Sequence, residues 1–258
     1  MARRERPTRG VQAVSATVAS PHIRRVLPFF DPMDQDQLEK LEAQVDWMIE
    51  NIGVAFRDDP LALDIWRKAG VEPTGEHGDL IKADAQLIRD LVAKAPSEFV
   101  QHARNPERSV TIGGNHQVFA PIYGAPFVRD LEKGRRYAEF SDYEALLKLV
   151  YMHPNLHHGS FVICEPTDIP VSKRHLDMVF AQMTLSDKPF LGAITEMSRA
   201  QDTVDMIDIL FGAERLDRDV CIMANVNTNS PLLVDRVVSQ AVQVYSGRGQ
   251  GMVVTPLS

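Results

Sequence analysis

The run Val220-Cys-Ile-Met-Ala-Asn-Val-Asn-Thr-Asn229 joins a short apolar stretch to three asparagines at alternating positions. Similar apolar stretches recur at intervals of about thirty residues, the spacing that a strand followed by a helix requires. The stretches cover residues 161–164, 189–194, 220–224 and 251–254, and helical stretches lie between them at about residues 172–185, 199–211 and 232–245. Their β-branched and aromatic content predicts short parallel strands that are covered on both faces.

Strand–helix crossovers of this kind leave two arrangements, an open doubly wound sheet or part of a (β/α)8 barrel. A dinucleotide-binding sheet would carry a glycine-rich fingerprint after its first strand. The first apolar stretch is followed by Glu165-Pro-Thr-Asp168 instead. We therefore predict an α/β fold in which residues 159–258 form a partial (β/α)8 TIM-type barrel. Its four parallel strand–helix units would be the first half of a closed barrel.

Helical periodicity predicts an N-terminal helical cap region over residues 31–108. Asp34 suits the N-cap and Gly53 the stop of its first helix, whose apolar residues recur on one face. These apolar residues are Leu38, Leu41, Val45, Met48 and Ile52. We expect a further helix at residues 83–94 and another helical turn at residues 97–103. Residues 1–30 lack such periodicity, which predicts a disordered basic leader.

Residues 109–158 are predicted to form two β-hairpins and a linking helix. Gly113-Gly-Asn-His116 supplies the turn of the first hairpin, and Glu132-Lys-Gly134 supplies that of the second. Ser141, followed three residues later by Glu144, matches a capping box and predicts the start of the helix.

The composition is that of an ordinary globular protein. The chain has 258 residues, 44% hydrophobic residues and a formal net charge of −7, which argues against a nucleic-acid-binding platform. No apolar run is long enough to cross a membrane, and no apolar segment follows the N-terminal arginines as in a secretory signal. Cys164 and Cys221 lie inside apolar stretches, which predicts buried thiols in a reducing compartment, and thus a cytoplasmic protein.

Polar residues follow the predicted strands at their carboxyl ends, where ligands bind in both α/β architectures. Glu165 follows the first strand and Glu196 the second, so two carboxylates would stand at neighbouring strand ends. Such a pair suits acid–base chemistry or a cationic ligand. Alternatively, each carboxylate caps a helix or binds an arginine.

The asparagines and an aromatic cluster supply the other candidates. Asn225 and Asn227 would point to the same face if their strand continues that far, and their amides would bind a polar substrate or each other. The alternative is a plain loop in which Ser230 caps the next helix. Tyr123 lies among aromatic residues that suit either a core or a wall for a quaternary ammonium group. We predict a substrate-binding role for Glu165, Glu196, Asn225, Asn227 and Tyr123, and we expect no metal ligands; the catalytic residues stay unknown.

From about residue 119 onward, the sequence contains a series of stretches whose types and order match one enzyme family. They are Leu131-Glu-Lys-Gly-Arg-Arg136, Ser141-Asp-Tyr143, His153-Pro-Asn155, Pro166-Thr-Asp-Ile-Pro170, Lys188-Pro189 and Asn225-Val-Asn-Thr-Asn-Ser-Pro-Leu232. In these stretches the sequence resembles the trimethylamine methyltransferase family, which are corrinoid-dependent methyltransferases that act on methylated amines, including glycine betaine. Their order and spacing, together with Gly53-Val-Ala-Phe56 upstream, make the resemblance specific.

The resemblance implies a complete barrel of roughly twice this length, of which this chain would be the N-terminal half. It implies transfer of a methyl group from trimethylamine or a quaternary amine to the cobalt of a corrinoid. The corrinoid would be carried by a cognate corrinoid protein and not bound by the chain directly. We also expect a homo-oligomer. The alternative hypothesis is a non-catalytic half-barrel that binds a small metabolite or completes its barrel with a second chain.

Overall fold

A computed structural model describes residues 22–229 and 231–256. The helices are α1 (Gln35–Asn51), α2 (Pro60–Lys68), α3 (Ala85–Val92), α4 (Phe140–Met152), α5 (Arg174–Leu185), α6 (Met197–Phe211), α7 (Ala213–Leu216) and α8 (Arg236–Gly247), with a short 3₁₀ helix at Pro106–Arg108. The strands are β1 (Ile23–Arg24), β2 (Val54–Phe56), β3 (Leu80–Ile81), β4 (Glu98–Gln101), β5 (Val110–Gly113), β6 (His116–Gln117), β7 (Phe127–Asp130), β8 (Gly134–Tyr137), β9 (Leu191–Gly192), β10 (Met223–Thr228), β11 (Leu233–Val234) and β12 (Gly251–Pro256). Most of the predicted leader, and Ser230 as a helix cap, lie outside the described residues.

A parallel sheet of β9, β10 and β12 forms the C-terminal part of the chain. The strands are neighbours in chain order, and α6 and α8 are the crossover helices between them. Met223 in β10 pairs with Leu191 on one side and with Gly251 on the other. The mixed α/β class and three of the predicted strand positions are therefore confirmed.

The strand predicted at residues 161–164 is wrong. Ser160, just before it, has a left-handed backbone conformation with φ of +57°, which a regular strand does not accommodate. Two backbone hydrogen bonds still tie the segment to the start of β9, from Gly159 N to Pro189 O and from Leu191 N to Ser160 O. Further along the segment, Val162 O accepts from Gly124 N, and Glu165 N donates to Ala125 O, so these residues bond to a loop and not to β9. The described strands do not close into a barrel, so the partial barrel itself is not confirmed.

The main core lies between this sheet and the helices α4, α5, α6 and α8. The largest fully buried apolar side chains in it are Tyr143, Leu147, Ile207, Leu216, Ile222 and Tyr245. Burial of these side chains is the main driving force for the packing of helices on the sheet. The hydroxyl of Tyr143 donates to the carbonyl of Phe161 at 2.8 Å, and that of Tyr245 donates to the carbonyl of Ala193 at 2.9 Å. These two hydrogen bonds join α4 to the segment at residues 161–164 and α8 to the residues that follow β9.

The N-terminal part contains more sheet than its periodicity predicts. Residues 97–103 are not a helical turn, because β4 pairs with β5 in antiparallel register from Glu98↔Gly113 to Gln101↔Val110. This tertiary pairing overrides the local signal. β4 is the edge of a four-stranded sheet with the order β1-β6-β5-β4, and both predicted hairpins are present as β5–β6 and β7–β8.

The helix α4 starts earlier than the Ser141 pattern predicts. Glu139 is its N-cap, and the capping box is formed by Glu139 and Asp142, not by Ser141 and Glu144. Asp142 is fixed in this role by Arg136, which donates to both carboxylate oxygens at 2.6 Å and 2.7 Å. By contrast, the prediction for α1 is confirmed: Asp34 is its N-cap and accepts from Gln37 N at 2.9 Å.

Two contacts join the N-terminal part to the parallel sheet and its helices. β11, in the loop after β10, pairs in parallel with β2 through Leu233↔Ala55 and Val234↔Phe56. The buried carboxylate of Asp59 at the start of α2 accepts from the amide of Gln243 in α8 at 2.7 Å. In the part of the chain that the structure describes, no helix is both long and apolar enough to cross a bilayer.

Candidate functional site

A cavity of about 110 Å³ lies beside the carboxyl end of β9. Its walls come from Tyr123 in the loop before β7, the segment at residues 161–165, Val171 and the first turns of α5, the first turn of α6, and the residues that follow β9. The polar side chains among its lining residues are Tyr123, Glu165, Arg174, His175, Thr195 and Arg199. The remaining lining is apolar, from Phe161, Val162, Val171, Met178, Ala193 and Ile194. A small apolar cavity with a few converging polar groups is the usual form of a ligand site.

Glu165 and Tyr123, both predicted from the sequence, line this cavity together. Glu165 forms an ion pair with Arg174, whose guanidinium also donates to the carbonyl of Ile169 at 3.3 Å. Burial, and secondarily the carboxylate of Glu165, raise the pKa of Tyr123 above its usual value. Tyr123 is therefore a neutral phenol at physiological pH, with its ring and hydroxyl available to a ligand.

Glu196 lies outside this cavity. It is the N-cap residue of α6, and its carboxylate is 3.4 Å from the guanidinium of Arg199. Arg199 also donates to Thr195 Oγ1 at 3.0 Å, and both of these residues line the cavity. The two predicted carboxylates thus do not share one cavity. Arg199 stands between Glu196 and the cavity.

Asn225 and Asn227 lie on one face of β10, as their alternation predicts. Val226 between them is buried in the main core, so the two amides lie on the sheet face that is turned away from the helices. The hydroxyl of Thr255 on β12 donates to the amide oxygen of Asn225 at 2.8 Å. Neither asparagine lines the cavity, which is formed one strand away.

A histidine–carboxylate pair at the cavity was missed by the sequence reasoning. His175 is buried, and its Nε2 is 2.8 Å from Asp202 Oδ2, while its Nδ1 is buried without a hydrogen-bond partner among the described residues. His175 lies at the start of α5 and Asp202 in α6, twenty-seven residues apart. No local spacing signals such a pair; only the packing of α5 against α6 brings it together.

His157 and His158 accept hydrogen bonds from backbone N–H groups. The Nδ1 atoms accept from Phe119 N at 3.0 Å and from Ser160 N at 2.9 Å, respectively. Burial lowers the pKa of His158 to about 3, so this imidazole stays neutral. Across the described ranges, no three His, Cys, Asp or Glu side chains converge as a metal site would need.

Comparison with known proteins places the chain in a family. Residues 2–258 match the model of the trimethylamine methyltransferase (MTTB) family. A glycine betaine methyltransferase from Desulfitobacterium hafniense (strain Y51) is 34% identical over 234 residues, which are 90% of this chain and 48% of the relative. The chain therefore spans about half the length of this relative. The match covers nearly all of the sequence, and the chain belongs to the trimethylamine methyltransferase family.

Proposed function

We propose that this chain forms part of a methyltransferase that moves a methyl group from a methylated amine to a corrinoid protein. The preferred amine is a quaternary one that carries a carboxylate, such as glycine betaine, over trimethylamine. The three parallel strands then belong to a (β/α)8 barrel that residues outside this chain complete, with the domain limits predicted from the sequence. The enzyme works in the cytoplasm.

The charge arrangement around the cavity carries this proposal. Tyr123 supplies an aromatic face, and Glu165, which is also ion-paired with Arg174, supplies a carboxylate; both are groups that recognise a quaternary ammonium without N–H donors. Arg199 supplies a guanidinium on another wall of the same cavity. Its ion pair with Glu196 is long, at 3.4 Å, and Glu196 is largely exposed, so the pair is weak. The guanidinium is thus able to take a substrate carboxylate.

For methyl transfer from a quaternary amine, the main task of the residues at the cavity is to position the substrate. The corrinoid, as the second substrate on its own protein, supplies a nucleophilic cobalt that takes the methyl group, while the amine leaves with the electron pair of the broken C–N bond. An amine that is already quaternary needs no proton transfer to become a leaving group. The roles left to this chain are orientation of the ammonium and exclusion of water, which apolar walls favour.

The test is methyl transfer from glycine betaine or trimethylamine to a reduced corrinoid protein, with the full-length enzyme. We expect Arg199→Gln to raise the KM for glycine betaine at least about tenfold, because a charge-assisted hydrogen bond is lost. It should leave the KM for trimethylamine, which has no carboxylate, within about twofold. Arg218→Gln, at an exposed arginine, is the matched control. Equal loss with both amines would contradict the role of Arg199, and transfer from neither amine by the unmodified enzyme would contradict the proposed reaction.

The alternative hypothesis, a half-barrel that binds a metabolite without catalysis, makes a different prediction in the same experiment. This hypothesis would be favoured if calorimetry shows that glycine betaine binds but no methyl group is transferred. Methylation of the same corrinoid protein by another enzyme would show that the acceptor in the assay is active.

A further inference from the structure

The pair of His175 and Asp202 takes no part in the proposed reaction, although it lies at the cavity. His175 is the second residue of α5, lines the cavity and is 6% exposed. Its Nε2 atom is 2.8 Å from Asp202 Oδ2. An ionised carboxylate only accepts hydrogen bonds, so Nε2 carries a proton and donates it. The neutral ring then has a lone pair at Nδ1, which makes this atom a hydrogen-bond acceptor.

This acceptor lacks a partner in the part of the chain that the structure describes. No donor lies within hydrogen-bond distance of Nδ1, and the atom is closed to solvent. By contrast, both ring nitrogens of the buried His158 are hydrogen-bonded, one to Gln101 Oε1 and the other to Ser160 N. An unsatisfied buried acceptor destabilises a folded protein, and each such atom calls for an explanation. Because Nδ1 is enclosed within this chain, a small group in the cavity is the natural partner.

The groups around the cavity define which donor suits this acceptor. Tyr123 and Glu165 favour a cation, and Asp202 adds a carboxylate on the Nε2 side of the ring. A cationic N–H forms a stronger hydrogen bond than a neutral donor does. A quaternary amine has no N–H to offer, whereas a tertiary amine that has taken up a proton has one. The acceptor therefore suits the ammonium group of a tertiary amine.

We propose that His175 Nδ1 accepts the N–H of a protonated tertiary amine, so that the cavity binds the demethylated product more tightly than the quaternary substrate. This inference rests on the proposed function, in which a quaternary amine loses one methyl group. When the C–N bond breaks, the methyl group goes to the acceptor and the electron pair stays on nitrogen. The nitrogen then takes one proton from water, and the new N–H donates to Nδ1.

Asp202 is a positioning residue in this arrangement, because it fixes the tautomer that leaves the Nδ1 lone pair unprotonated. Side-chain adjustments on binding are common, and they give the ligand access to the enclosed atom. The consequence for the enzyme is product inhibition. Turnover slows as the tertiary amine accumulates, and it recovers when another reaction consumes that amine.

The first experiment measures binding of N,N-dimethylglycine, the tertiary product, and of glycine betaine to the full-length enzyme by calorimetry. We expect the product to bind more tightly. His175→Gln keeps an N–H for Asp202 but places no acceptor at the position of Nδ1. It should raise the Kd of N,N-dimethylglycine at least about tenfold and leave that of glycine betaine within about twofold. His77→Gln, at an exposed histidine, is the matched control.

The converse variant is His175→Asn, whose amide oxygen lies as many bonds from the backbone as Nδ1 does. It keeps an acceptor there but loses the N–H for Asp202, so the preference for the product should persist. The ratio of the two Kd values within one variant does not depend on how much of the protein is folded. Equal affinity of the unmodified enzyme for both amines, or equal weakening of both by His175→Gln, would overturn the proposal.

Trimethylammonium and tetramethylammonium separate this inference from the proposed reaction. They differ by an N–H in place of a methyl group, and their binding requires neither a carboxylate contact nor methyl transfer. We expect His175→Gln to weaken trimethylammonium binding at least about fivefold more than tetramethylammonium binding. This difference without any methyl transfer would support the N–H contact and contradict the reaction. Methyl transfer without this difference would support the reaction and overturn the inference.

Discussion

Lys188 is a buried cation whose ammonium group donates hydrogen bonds to backbone carbonyls. Its ammonium donates to the carbonyls of Val150 at 2.7 Å, His153 at 3.0 Å and Leu156 at 2.6 Å. Burial lowers its pKa to about 8, so the group still carries its charge at neutral pH. These carbonyls end α4 and open the turn after it. Lys188 and His153 both lie in stretches that resemble the methyltransferase family, and here they hold the scaffold together.

We expect Lys188→Met to lower the free energy of unfolding by about 2–4 kcal/mol, because one buried and two partly buried carbonyls lose a charged donor. Urea denaturation followed by circular dichroism measures this change. Lys148→Met, at an exposed lysine of α4, provides the control. Equal stability of the two variants would show that water or other donors satisfy these carbonyls without the lysine.

At the scale of elements, the hairpin β7–β8 is joined to the start of α4 by Arg136 and Asp142. The hydrogen bond from Arg136 is the main cause that lowers the pKa of Asp142, and the backbone N–H of Glu139 contributes too. A carboxyl whose pKa is lowered by folding stabilises the protein above its ordinary pKa, near 4, and this stabilisation is lost as the pH falls through the lowered value.

Asp142→Asn should therefore lower the melting temperature at pH 7 by about 2–4 °C, and this difference should shrink below about pH 4. Differential scanning calorimetry at both pH values gives the comparison. The exposed Asp31 provides a matched Asp→Asn control. A difference that stays constant down to pH 3 would mean that the ionised carboxylate is not what links the hairpin to the helix.

Elements with strong local signals were predictable, and those that depend on distant partners were not. The N-cap at Asp34 and the apolar runs of β10 and β12 were recognised from the local sequence alone. The segment after Ser160 has the composition of a strand, yet the left-handed residue before it and its bonds to the loop at residues 124–125 decide its form. Residues 98–101 likewise form a strand, β4, because they pair with β5.

The candidate site shows the same division. Glu165 and Tyr123 line the cavity as candidates from the sequence, although Glu165 was predicted from the end of a strand that is not formed, and Tyr123 from an aromatic cluster. Arg174, His175 and Arg199 come from the first turns of helices, and they reach the same cavity because those turns lie beside the strand ends. Which helix start faces which strand end is a property of packing, so the sequence alone did not indicate these residues.

On the scale of the whole molecule, Asp59 and Gln243 join parts of the chain that lie 184 residues apart. Asp59 is 2% exposed, and Leu61 N and Ala62 N also donate to its carboxylate. The pair fixes α2 against α8, next to the pairing of β2 with β11. The loop that follows the asparagines of β10 is thereby held by the N-terminal part of the chain.

We expect Gln243→Leu to lower the free energy of unfolding by about 1–3 kcal/mol, because a buried carboxylate oxygen loses its donor. Hydrogen–deuterium exchange should also become faster at residues 54–57 and 232–235. Gln201→Leu, at an exposed glutamine of α6, is the control. Unchanged exchange at both segments would show that β2 and β11 hold together without the side-chain contact.

The pairing of β2 with β11 also sets a time at which the protein is able to finish folding. The two strands are about 180 residues apart in the chain, so at synthesis rates of roughly 5–20 residues per second β2 leaves the ribosome about 10–40 s before its partner exists. During that interval one edge of β2 is unpaired and its apolar neighbours in the N-terminal part lack their cover. The nascent chain thus passes through a long window in which its own later residues do not yet protect this strand.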